Sequence, residues 1–215
     1  MNITRYFLQA LIASSCIYSA FSIADASSDV VDLQYQWAVV NYQMDGKEQV
    51  EGFSSLSDQA DGITSHYPES AEAWIWSGII KSTYAGAKGG LGALSLAKAS
   101  RKNLEQAMEI DPDAMSGSAY TSLGTLYFSV PGWPVGFGSD SKAEELLSMA
   151  LTISPQGIDA NYFYAEFKRK QKDFAIARDY YMKAQSAPPR SGRKVADAGR
   201  QKEIALALED LKKEL

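Results

Sequence analysis

Apolar residues return every three or four positions along most of this chain, the spacing of one helical face rather than the strict alternation of a strand. Leu33, Trp37, Val40 and Met44 form one such stripe, and the pattern predicts a helix over 29–44 broken at Asp45-Gly46. A second runs over 51–67, with Phe53, Leu56, Ala60 and Ile63, and stops at Tyr67-Pro68. Further stripes predict helices over 70–84, 94–110, 116–129, 142–152, 158–172, 173–187 and 192–215. Prolines close several of them, at Asp111-Pro112, Ser154-Pro155 and Pro188-Pro189, because proline lacks the amide hydrogen a continuing helix needs. Two stretches break the helical pattern: 85–93, crowded with Gly86, Gly89, Gly90 and Gly92, reads as a loop or a frayed turn, and 130–140, with two prolines and three glycines, as a rigid loop. No strand-like alternation occurs, so the fold class expected is all-α.

Composition narrows the chemistry. The first 26 residues place Arg5 before an apolar run and end in Ala24-Asp25-Ala26, the layout of a secretory signal peptide cut before Ser27. The expected organisation is therefore a signal peptide over 1–26 and a single helical domain over 27–215, in a periplasmic or otherwise exported setting. Cys16, the only cysteine, lies in that leader. It follows Ala13-Ser14-Ser15 and resembles a lipoprotein cleavage site without the usual leucine, so membrane contact is expected only if Cys16 is lipidated. A mature chain with no cysteine and one histidine, His66, holds no disulfide, thiolate metal site or multi-histidine site. No cofactor is expected.

The net charge is −5, unevenly spread: residues 27–160 carry 17 acids against 7 bases, and 161–215 carry 8 against 13. An overall acidic chain with no basic stripe interleaved with aromatics argues against nucleic acid as a partner. Enzyme signatures are missing as well. GFGSD sets its serine one place off a nucleophile elbow, GGLGA lacks the lysine of a phosphate loop, and Glu144-Glu145 diverge as neighbours on a helix.

Aligned as pairs, the helices resemble the tetratricopeptide repeat, a 34-residue helix-turn-helix unit with small residues where its two helices touch. Ala165, Ala177, Tyr181, Ala184 and Pro189 match that spacing without insertion; Tyr120, Leu123, Gly124, Tyr127, Ala143, Leu147, Ala150 and Pro155 match it around a stretched loop; Trp74, Gly78, Leu104, Ala107 and Pro112 do so around the glycine-rich stretch. The resemblance covers about 70–189. It implies a right-handed superhelix of about three helix pairs with capping helices at both ends. A narrower resemblance, carried by Gly138-Ser139-Asp140-Ser141-Lys142-Ala143, is to the periplasmic T-component family of TRAP-type solute transporters, with one residue fewer between Asp and Lys. It implies a role beside a solute-binding partner.

Three groups are candidate binding elements. In the loop 130–140, Pro131, Gly132 and Pro134 stiffen the backbone that presents Trp133 and Phe137; the pair either anchors a partner or folds back onto the helix ends. Asp140 and Ser141 with Glu144 read as the N-cap of the following helix. The inner face of the array, by register, offers Glu72, Ile75 and Ile79; Ser118, Thr121, Thr125 and Phe128; Asp159, Tyr162, Glu166 and Arg169, a mixture suited to a ligand or peptide groove and equally to a plain wet one. Arg190, Arg193, Lys194 and Arg200 either receive a carboxylate or phosphate or are solvated surface. The expected function is an exported, non-enzymatic scaffold holding a protein or peptide in a concave groove. The alternative is a transport accessory enclosing a small solute near Tyr127, Trp133 and Tyr162. A closed cavity favours the solute, an open groove the scaffold.

Overall fold

The computed structural model describes residues 26–214, and within them the chain is all-helical. The leader, Cys16 and the cleavage site before Ser27 were read largely from residues outside that span. Helix α1 covers 26–43. It is followed by α2 (Gly46–His66), α3 (Ala71–Lys88), α4 (Gly90–Ile110), α5 (Ala114–Ser129), α6 (Asp140–Ile153), α7 (Ile158–Lys170), α8 (Phe174–Gln185) and α9 (Lys194–Leu211). The breaks at Asp45, Tyr67-Pro68, Asp111-Pro112 and Ser154-Pro155 fall where the proline and turn signals put them. His66 sits in the last turn of α2, where a cation suits the helix dipole.

The glycine-rich stretch departs from expectation. It is not a loop: α3 runs through Gly86 to Lys88, and α4 begins at Gly90. Only Gly89 interrupts them, at φ 61° and ψ −171°, a conformation that a side chain would strain. Continuing α3 by one turn buries Tyr84 and Ala85 and packs Ala87 against the core. That burial outweighs a helical glycine's propensity cost of about 1 kcal/mol. The cap of α6 also differs. Ser139 accepts from the Lys142 amide at 3.3 Å, and Asp140 is already in the first turn.

Consecutive helices pack as hairpins, α3 on α4, α5 on α6 and α7 on α8, and each odd helix from α3 onward also touches the next odd one. Small residues set the hairpin crossings. A Cβ on Gly78 would meet Leu104 Cγ at 2.6 Å, and one on Gly124 would meet Leu147 Cγ at 2.7 Å, so these glycines admit leucines that a larger residue would expel. Ala165, Ala177, Tyr181 and Ala184 play the same part in the third hairpin, all fully buried.

The last helix does more than cover α8. Its first turns cross back to α1: Val195 and Ala196 join the core that holds Leu33, Trp37 and Ala38, while Ile204 and Leu211 pack in the core of α7 and α8. The chain therefore closes on itself, with α9 bridging the last hairpin to the first helix.

Candidate functional site: a cavity on the inner face

The concave face holds a cavity of about 650 Å³, open to solvent on one side and lined by α1, α3, α5, α7, the turn at 153–157 and the segment leading into α9 with Arg200. The seam between α9 and α1 is polar outside and aromatic within. Tyr42 donates its hydroxyl hydrogen to Glu203 at 3.3 Å, and Arg193 Nη1 donates to Gln34 Oε1 at 3.1 Å. Gly199 lies against the Tyr42 ring, and Tyr42 meets Trp37 edge-on at 5.8 Å. Trp37 in turn packs edge-on against Trp76 at 5.7 Å and donates its indole hydrogen to Thr83 at 3.1 Å.

One wall is ionic. Asp159, near the start of α7, accepts from two guanidiniums at once: Arg200 Nε at 2.9 Å on one oxygen, Arg190 Nη1 at 2.6 Å on the other. Arg190 also grips Asp197 through Nε at 2.7 Å, and Arg200 reaches Glu203 at 2.6 Å. Arg200 lies over the rings of Tyr162 and Phe163, at 4.2 and 4.6 Å. Burial alone would raise the Asp159 carboxyl, but Arg200 and Arg190 outweigh it and hold the group below its ordinary value. Burial likewise opposes the charge on Arg200, and Asp159, Tyr42 and Glu203 reverse the balance, so its pKa is raised. Glu203 is held up chiefly by burial, with Arg200 opposing.

Arg193 is different. Among the described residues it forms no ion pair, and its guanidinium stands 5.0 Å from the Trp76 ring centre. Burial lowers its pKa, and the neighbouring Arg190 charge lowers it further. The buried Nε of Arg193 and the buried indole nitrogen of Trp76 have no hydrogen-bond partner.

The opposite wall supplies hydroxyls and apolar surface. Thr125 is turned back onto the Thr121 carbonyl at 2.8 Å, and Ile79 adds apolar lining. No family model and no curated protein matches the chain. The cavity has to be read from its own chemistry. Among the described residues no three His, Cys, Asp or Glu side chains gather as a metal-ligand set, and no helix is long and apolar enough to cross a membrane.

Of the residues singled out from sequence, Thr121, Thr125, Ile79, Ser118, Asp159, Arg190, Arg193 and Arg200 come together around the cavity. Others go elsewhere. Tyr127 and Phe137 pack edge-on at 5.6 Å with Arg101 over Phe137 at 4.7 Å, so Phe137 folds back onto the helix ends. Trp133 does not follow it: at 89% exposure it stands out at the loop tip. Phe128 packs on Phe167 at 5.7 Å. Tyr162 is covered by Arg200 and touches Tyr181 at 5.8 Å. Glu166 accepts from the Tyr181 hydroxyl and pairs with Arg169 at 2.9 Å. The structure therefore does not bring Tyr127, Trp133 and Tyr162 into one pocket. Sequence reasoning missed Trp37, Trp76 and Phe163. Only the tryptophans carried a signal, as large aromatics on the first helices of successive pairs.

Proposed function

We propose that this protein is a non-enzymatic binding protein that holds a small solute in the half-open cavity on the inner face of its helices. We also read α3 to α8 as three tetratricopeptide-like units. Their support is the recurrence of hairpins with Gly78, Gly124 or Ala165 at the crossing. The observation that carries the functional reading is the seating of α9 on α1 through Tyr42–Glu203, Arg193–Gln34 and the packing of Ala196. An array open at its end would offer a long groove to an extended peptide; this one presents a half-open cavity of about 650 Å³, within the range of small-molecule sites. Exported in the manner its leader suggests, such a protein suits an accessory of a solute transport system.

A second reading, a protein partner, rests on Trp133, whose exposed indole at the loop tip is the kind of aromatic that anchors an interface. Native mass spectrometry of the mature protein, purified gently from its own host, separates the two. A retained small mass, released on denaturation, is the expected result. A co-purifying polypeptide lost in Trp133→Ala, with no small mass, would replace the solute reading by the partner reading.

A further inference from the structure

We propose that the cavity takes an uncharged, hydroxyl-rich solute, a sugar or an open-chain polyol, held on two adjacent rows of side-chain hydroxyls from α3 and α5. This deepens the reading of the cavity as a solute site and rests on it.

Helical spacing places the hydroxyls. Ser82 and Thr83 follow Ile79 along one face of α3, and Ser118, Ser122 and Thr125 recur at i, i+4 and i+7 on α5, which α3 touches. All five hydroxyl side chains line the cavity, and all five residues are half-buried, so a ligand can reach them. Four already use their hydrogen. Ser82 and Thr83 donate to the Ile79 carbonyl at 2.8 Å, Ser118 to that of Met115 at 2.7 Å, and Thr125 to that of Thr121 at 2.8 Å. A hydroxyl that donates to its own helix backbone has only lone pairs left to offer. These walls therefore present acceptors, and the ligand that matches them is rich in O–H donors.

Charge on the remaining wall is already matched. Arg190 and Arg200 pair with Asp159, Asp197 and Glu203 at 2.6 to 2.9 Å, and Arg193 lies in the field of Asp159 and Asp197. A charged ligand would have to displace one of these partners or lie unpaired in a partly desolvated site, and an unpaired charge taken out of water is costly. An uncharged polyol meets neither penalty. Ile79, Met115 and Phe163 add apolar surface for its C–H groups.

The test is thermal unfolding of the full mature chain, exhaustively dialysed, against three mixtures built on the same carbon bodies. One holds uncharged hexoses, pentoses and hexitols, the second hexuronates and hexonates, the third hexosamines. The uncharged set is expected to raise Tm, with half-maximal protection at a concentration at least about 10-fold lower than either charged set needs. Its members titrated singly then tell a ring from an open chain. Thr125→Val keeps the shape and removes the lone pairs, and should weaken binding about 3- to 10-fold; Thr125→Ser should restore it. Thr152→Val is the control, because Thr152 bonds back to the Ser148 carbonyl at 3.0 Å in the same way but sits exposed on α6, outside the cavity. Should Thr125→Val fail to fold, Ser82→Ala reads the same loss from α3. A charged set protecting as well as the uncharged one would overturn the ligand class and leave the solute cavity standing. Thr125→Val and Ser82→Ala both binding like the parent would overturn the hydroxyl rows as the site. Protection by none of the three sets would overturn the proposal, and the solute cavity itself would fall only if native mass spectrometry also found no retained small mass.

Discussion

The seam between α9 and α1 decides whether the concave face is a cavity or a groove, and Gly199→Ala tests it. A Cβ at this position would lie 2.4 Å from Cδ1 and Cγ of Tyr42 and 2.5 Å from Cδ2. Carbon atoms pack best at about 3.5–4.0 Å, so the ring or the helix must yield by roughly 1 Å. The ring has little freedom, held edge-on by Trp37 at 5.8 Å and through its hydroxyl by Glu203 at 3.3 Å. Overpacking of this kind costs about 1–3 kcal/mol, and losing the Tyr42–Glu203 bond adds about 1 kcal/mol. Alanine's better helix propensity returns about 1 kcal/mol, leaving a net loss of about 1–3 kcal/mol. Gly62, in α2, is the control, since a Cβ there meets nothing within 4 Å. Gly62→Ala should gain about 0.5–1 kcal/mol from the same propensity difference. Urea unfolding measures both, and hydrogen exchange should rise over 194–203 in Gly199→Ala alone. If both variants gained stability equally and exchange over 194–203 stayed as in the parent, α9 would not rest on α1.

Two further outcomes are expected. Gly124→Leu should destabilise the middle hairpin by about 3 kcal/mol or more, since even a Cβ meets Leu147 Cγ at 2.7 Å; a parent-like urea midpoint would remove the close-crossing argument. Acid should loosen the ionic contact between α7 and α9. Asp159 titrates below its ordinary 3.8 in the folded chain, so its stabilisation is complete above about pH 4 and is lost as pH falls through the depressed value. Glu203 has the opposite sign, contributing below its unfolded value and fading as pH rises through its elevated one. Asp159→Asn should flatten the stability profile below pH 4, and an unchanged slope there would show that this carboxyl does not govern the hold of α9 on α7. At neutral pH the same change should cost about 1–3 kcal/mol, the side chain being 34% exposed and its ion pairs partly screened.

Much of this architecture is legible along the chain because it is local. Helical periodicity and proline stops depend on neighbours three or four residues away, so the helices from 29–44 onward, the breaks at Pro68, Pro112 and Pro155, and the small residues at the hairpin crossings can be read without coordinates. The glycine-rich stretch could not be: whether Gly86 and Gly92 stay helical depends on what Tyr84, Ala85 and Ala97 bury against, and local propensity carries no such information. The same holds for the loop at 130–140, where Phe137 found Tyr127 and Arg101 while Trp133 found only solvent.

The site is the extreme case. Sequence alone marked Asp159, Arg190, Arg193 and Arg200 as inner-face or basic-end residues, but the partners that give them meaning are far away in the chain. Tyr42 meets Glu203 across 161 positions and Gln34 meets Arg193 across 159. No periodicity spans such distances. The chain by itself determined that there would be helices, where they would stop and which small residues would let them cross. Only the tertiary structure decided that the last helix would return to the first, because that choice depends on the shapes and charges of surfaces that exist only once the hairpins have stacked.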